Sequence, residues 1–167
     1  LIGQLKGKVA VACFASNVAR MNTAIRAGQA NGRKVCLVGR SMHRMYAAAR
    51  SVGFLTDIQP LIDDSQAKSV PADKLLLLCT GSQGEARAAL SRIADGTHPH
   101  INLGQGDCVV FSSRVIPGNE VPIRNLQNKL AECGVRLYTE RDHPGIHVSG
   151  HPCRDELADM YRWARPQ

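Results

Sequence analysis

A chain of 167 residues is most simply one domain, long enough to bury about 70% of the surface its unfolded form exposes. Charged residues make up 21% of it, apolar residues 44% and aromatics 4%, which excludes a disordered chain and indicates a globular α/β protein with an aliphatic core. No run reaches the ~18 apolar residues of a membrane span and no signal-peptide pattern opens the sequence, so it reads as cytoplasmic, with no membrane partner.

Short apolar runs alternate with helical patterns along the chain. Residues 9–14 (VAVACF), 35–38 (VCLV), 75–79 (LLLLC), 108–111 (CVVF) and 135–138 (VRLY) are continuously apolar or β-rich and bounded by Gly, Lys or Asp, as buried parallel strands are. Between and after them the sequence predicts helices over about 16–31, 41–52, 85–95, 119–133 and 154–164. Gly32, Gly53, Gly96 and Gly134 follow the first four, each placed to take the left-handed conformation that closes a helix. This rhythm predicts an α/β fold, a mainly parallel open sheet with helices on both faces in a Rossmann-like three-layer arrangement.

Six cysteines, Cys13, Cys36, Cys79, Cys108, Cys133 and Cys153, show no CxxC spacing. They read as small apolar residues in a reducing compartment, not as a zinc site. His98 and His100 form an HxH pair, but Ile101 and Asn102 follow where a metalloenzyme HxHxDH pattern would continue, so both are expected in a loop. The net charge of +7 is carried mostly by arginine, whose planar fork matches phosphate oxygens, and a polyanionic partner fits that balance.

Ligands of open parallel sheets bind beyond the carboxyl ends of the strands. Four segments fall on that predicted rim. Ser16-Asn17 follows the first strand, where the side-chain oxygens either cap the helix or leave its amides free for an anion. Thr80-Gly81-Ser82-Gln83-Gly84-Glu85 follows the third, either as an anion-binding nest or as a tight turn whose Glu85 favours the next helix N-terminus. Ser112-Ser113 follows the fourth, leading through Arg114 and Pro117-Gly118 to Asn119 as an N-cap.

The last segment, His147-Val148-Ser149-Gly150-His151, places two imidazoles, a hydroxyl and a glycine just before the C-terminal helix. With Val148 on a short strand, His147 and Ser149 point to one side, Gly150 admits close approach of a ligand, and His151 stands where strand gives way to helix. An imidazole there can hydrogen-bond a phosphate or pass a proton to a leaving oxygen.

Taken in order, residues 14–20 (FASNVAR), 80–85 (TGSQGE), Ser112-Ser113 with 116–120 (IPGNE), and 146–151 (IHVSGH) resemble the β-CASP region of the ribonuclease J family. The resemblance spans nearly the whole chain, with departures at Ala86, Arg114 and Pro152. It implies a β-CASP domain, residues 1–167, that is inserted in a metallo-β-lactamase domain missing from this sequence. It also implies a zinc-dependent 5′-exo- and endoribonuclease in the whole protein, with RNA as substrate, two zinc ions on the missing domain, no metal bound by this chain, and a homo-oligomer.

Carried over by motif, the resemblance makes Ser16, Asn17, His147, Val148, Ser149, Gly150 and His151 the phosphate-binding residues. His151 is then the catalytic histidine of motif B, stabilising the transition state or delivering a proton. The chain alone is expected to be inactive. A free-standing RNA-binding or scaffolding module, and a hydrolase of the same superfamily with a non-RNA substrate, are the competing readings.

Overall fold

The computed structural model describes residues Leu1–Pro166. Its centre is a five-stranded parallel sheet of β1 (Val9–Ala12), β2 (Lys34–Val38), β3 (Leu75–Cys79), β4 (Cys108–Phe111) and β5 (Arg136–Tyr138), in the order β2-β3-β1-β4-β5. Every pairing is parallel, so all five carboxyl ends share one edge of the molecule.

The strands alternate their side chains between two cores, as the pleat requires. Ala10, Ala12, Cys36, Val38, Leu75, Leu77, Val109 and Phe111 point into one core, and Val9, Val11, Val35, Leu37, Leu76, Leu78 and Val110 into the other. The four leucines of β3 are at most 1% exposed, each contributing about 1.5–3 kcal/mol by burial.

Five α-helices complete the fold: α1 (Val18–Ala30), α2 (Arg40–Ser51), α3 (Ala89–Ala94), α4 (Glu120–Glu132) and α5 (Arg154–Ala164). On one face α1 buries Met21, Ala24, Ile25 and Gly28, the spacing of a helical stripe. Gly28 fits there because a Cβ would meet Val35 and Leu76 at 3.0 and 3.1 Å. Beside α1 lies α2, with Met42 and Ala49 buried. The opposite face carries α3 and α4, together with a 3-10 segment, Asp64–Ser69, that the apolar pattern did not reveal. Helices thus cover both faces, and the four glycines that follow α1 to α4 all have positive φ.

Two segments depart from the sequence expectation. The third helix spans only Ala89–Ala94, because residues 81–88 are held in a turn by a buried Gln83 and by bonding of the Leu90 amide to the Thr80 carbonyl. The chain between α2 and β3 also carries Ile62, which bridges in parallel to Cys36 and covers the outer edge of β2. The helix α5 has no buried residue, and its Leu157, Met160, Tyr161 and Trp163 stand exposed. Among the described residues no helix is long and apolar enough to cross a membrane.

Candidate functional site

The segments after β1, β3, β4 and β5 lie beyond the carboxyl edge, as the parallel topology demands. Hydrogen bonds divide them into two groups.

The first group joins the β1 turn to the pentapeptide. Asn17 caps α1, its Oδ1 accepting from the Arg20 amide at 2.9 Å; that oxygen serves the helix, while the Ser16 side chain is exposed and makes no hydrogen bond among the described residues. Arg20, in the first turn of α1, then reaches across the rim. Its guanidinium donates to the Ser112 hydroxyl at 2.7 Å and to the carbonyls of Ile146 and Val148 at 3.4 and 2.6 Å. The Ser112 hydroxyl donates in turn to the Ile146 carbonyl at 2.7 Å. Ser112 is 6% exposed, so this latch is rooted in the core. Charge-assisted bonds of this type are the stronger ones.

This latch corrects the expected strand at Val148. Residues 147–150 are irregular and pair with no strand; β4 is already flanked by β1 and β5, and the outer edge of β5 carries no strand among the described residues. An arginine side chain takes the partner's place, so the alternation argued for His147 and Ser149 does not apply. Nor does a strand hand over to a helix at His151: Pro152 lies outside α5, whose N-cap is Cys153, the Cys153 amide donating to Glu156 at 2.8 Å. A Cβ on Gly150 would meet no atom of the chain within 4 Å, so packing within the chain does not require glycine there.

The two histidines of the pentapeptide differ. His147 is half-buried, and its Nδ1 is shut away from solvent with no hydrogen-bond partner. Its pKa lies below the ordinary histidine value of 6.5, first through burial and then through the positive charge of Arg20; Glu140 and the Ser112 backbone oppose the shift. The neutral imidazole is therefore favoured. His151 is exposed, and its amide bonds the Ser149 hydroxyl at 3.2 Å. Val148 and Ser149 are exposed as well.

The second group ties the β3 turn to the β4 loop. The Gln83 amide nitrogen donates to the Ser113 hydroxyl at 3.2 Å and to the Arg114 carbonyl at 3.0 Å, while its oxygen accepts from the Ile116 amide at 3.0 Å. Gly84, at φ +75°, lies so close to α4 that a Cβ would sit 2.4 Å from the Pro122 carbonyl carbon. The segment 80–85 is a packed turn in this respect. Glu85 accepts from the Gln83 amide at 3.0 Å and stands apart from the N-terminus of α3, contrary to the expected dipole contact. Asn119 likewise makes no side-chain cap on α4 and instead bonds Gln83 at 3.4 Å.

The remaining expectations concern metals and thiols. His98 Nδ1 accepts from the amides of His100 and Ile101, a loop arrangement. Among the described residues no group of three or more His, Cys, Asp or Glu side chains is placed to hold a metal ion. Cys13, Cys36, Cys79 and Cys108 are buried and unbridged, and burial pushes the Cys13 and Cys108 thiols up to about 11. Arg20 is the residue the sequence argument missed: it stood within a quoted motif, but nothing local to it reveals partners 92 to 128 positions away.

Residues 6–130 match the family described as Ribonuclease J, beta-CASP domain. The chain is 42% identical over its full length to a ribonuclease J of Sinorhizobium meliloti, covering 29% of that protein. It is 43% identical to one from Mycolicibacterium smegmatis and 39% to one from Synechocystis, covering 30% and 26% of them. It thus spans under a third of the curated relatives it matches. With motif, topology and relatives in agreement, the chain belongs to the ribonuclease J family and corresponds to its β-CASP domain.

Proposed function

We propose that this chain is the phosphate-clamping half of a zinc-dependent ribonuclease that cleaves RNA as a 5′-exo- and endonuclease in the cytoplasm. In this reading residues 1–167 are inserted in a metallo-β-lactamase domain of the same protein. That domain would bind two zinc ions, as membership of the ribonuclease J family implies, and the whole protein would form a homo-oligomer. The observation that carries the reading is the Arg20 latch, which ties the Ser16-Asn17 turn to the segment bearing His147 to His151. Two motifs 126 to 128 positions apart are thereby joined on one rim.

Each residue has a separate task. Ser16, whose hydroxyl has no partner among the described residues, donates to a non-bridging phosphate oxygen at the positive end of α1. Asn17 holds that helix end in place. His147, kept neutral by burial and Arg20, binds phosphate without adding a charge. Val148, Ser149 and Gly150 present backbone and hydroxyl groups to the nucleotide. His151, exposed and unheld, passes a proton to the leaving oxygen or stabilises the charge that develops on the phosphate.

The test is cleavage of 5′-monophosphorylated and 5′-triphosphorylated RNA by the full-length protein and its His151→Ala variant. Loss of a general acid lowers kcat by about 10²–10⁴-fold. Unchanged kcat in the variant would remove His151 from the chemistry. The isolated chain with added zinc should cleave nothing, and robust metal-dependent turnover by it would overturn the division into two half-sites.

A further inference from the structure

The clamp occupies one end of the carboxyl rim. Beyond it, over the ends of β1, β2 and β3, lies an open groove of about 910 Å³, near the top of the ~300–1,000 Å³ range of ligand clefts. Arg40 and Arg44 enter it from α2, Arg87 from the turn before α3, and Arg92 from α3 itself. All four are exposed, and none forms an ion pair or side-chain hydrogen bond with another described residue.

Charged groups facing this groove are of one sign with one exception. Glu85 is the only carboxylate among the residues that line it, and that carboxylate accepts from the Gln83 amide. The N-terminus of α2 adds its dipole: its N-cap is Gly39, with no side-chain cap and no acidic residue in the first turn. Two further residues connect the groove to the clamp. Ser16 lines both, and Phe14, 36% exposed, stands on the wall beside it.

We propose that this groove is a track for the sugar-phosphate backbone of single-stranded RNA, continuous at Ser16 with the clamp and lying outside the reacting phosphodiester. The inference rests on the ribonuclease reading above. Arginine forks match phosphate oxygens bidentately, a basic groove that follows the backbone binds single strands with little regard to sequence, and Phe14 offers one face on which a base can stack. The four arginines act as positioning residues; they raise affinity for long RNA and take no part in the chemistry.

The test is equilibrium binding of short and long fluorescein-labelled single-stranded RNA to the full-length protein under chelation, as a function of salt. In R40A/R87A, two lost phosphate contacts should flatten the slope of log affinity against log salt by about 1.4. Affinity for long RNA should fall at least tenfold at low salt, while a short RNA that fills only the clamp should bind as before. R40K/R87K should keep the salt slope, because a lysine still neutralises a phosphate. An unchanged slope in the alanine variant, with wild-type binding intact, would overturn the track and leave the clamp standing. Wild-type protein that binds neither RNA would overturn the ribonuclease reading and the track together.

Discussion

The Ser16-to-Arg20 turn and the His147-to-His151 segment belong to one rim, yet they are held in opposite ways. The first is built into the fold: Asn17 caps a helix whose Met21 and Ile25 are fully buried. The second has no strand partner and only His147 half-buried among its side chains, and the chain grips it chiefly through carbonyls that accept from Arg20 and Ser112. A site divided in this way has a rigid half that sets position and a tethered half whose side chains stay free to meet something outside the chain.

Removing the tether is the strongest way to break this contrast. Arg20→Ala deletes three donated hydrogen bonds at once and leaves the Ser112 hydroxyl and two carbonyls with fewer partners. Urea unfolding of the chain should register a loss of about 2–3 kcal/mol. Amide hydrogen exchange should accelerate at residues 146–151 and hardly at all in α4. Equal protection of that segment in the variant would mean that packing, not the latch, holds it.

A smaller effect is expected on the rigid side. Asn17→Ala removes the α1 cap and should cost about 1 kcal/mol, whereas Asn17→Ser, which can still cap, should recover most of it. If both variants lost the same stability, the cap would not be what fixes the Ser16 turn.

The next prediction uses pH. Because the folded-state pKa of His147 is depressed below 6.5, the unfolded chain binds more protons in that region, and stability falls as pH drops below about 6.5. His147→Asn should reduce the steepness of that fall in Tm between pH 6.5 and 5. His98 shifts in the same direction, again chiefly through burial, so His98→Asn is the control that separates the two contributions. A Tm profile identical to wild type in His147→Asn would sink the assignment.

The smallest effect is reserved for the free half. Ser149→Ala touches an exposed hydroxyl whose one bond is to the His151 amide, and its stability should stay within about 0.5 kcal/mol of wild type. A larger loss, read from the same urea curves, would show that the pentapeptide is packed more firmly than its exposure indicates.

Much of this molecule was legible before any coordinates. The strands of 75–79 and 108–111 stand where their apolar runs lie, and α5 spans Arg154–Ala164 as its pattern predicts. Those signals are local: periodicity, a glycine after a helix end, an apolar run too short for a helix. The expected strand at Val148 is absent because the segment is held through its carbonyls by Arg20 and pairs with no strand, although β5 keeps an outer edge without a neighbour among the described residues. The helix from 85 shrank to six residues because Gln83 and Gly84 bind the preceding turn to the loop before α4 and to α4 itself.

The amino-acid sequence by itself determined the α/β rhythm, the set of motifs on one rim and the resemblance to the ribonuclease J family, because each is written in neighbouring residues. Only the tertiary structure decided that Arg20 links the Ser16-Asn17 turn to the His147-to-His151 segment, and that arginines from α2, α3 and the turn between β3 and α3 face one groove. Both depend on the strand order β2-β3-β1-β4-β5, which sets distant segments side by side, and no local spacing encodes that order.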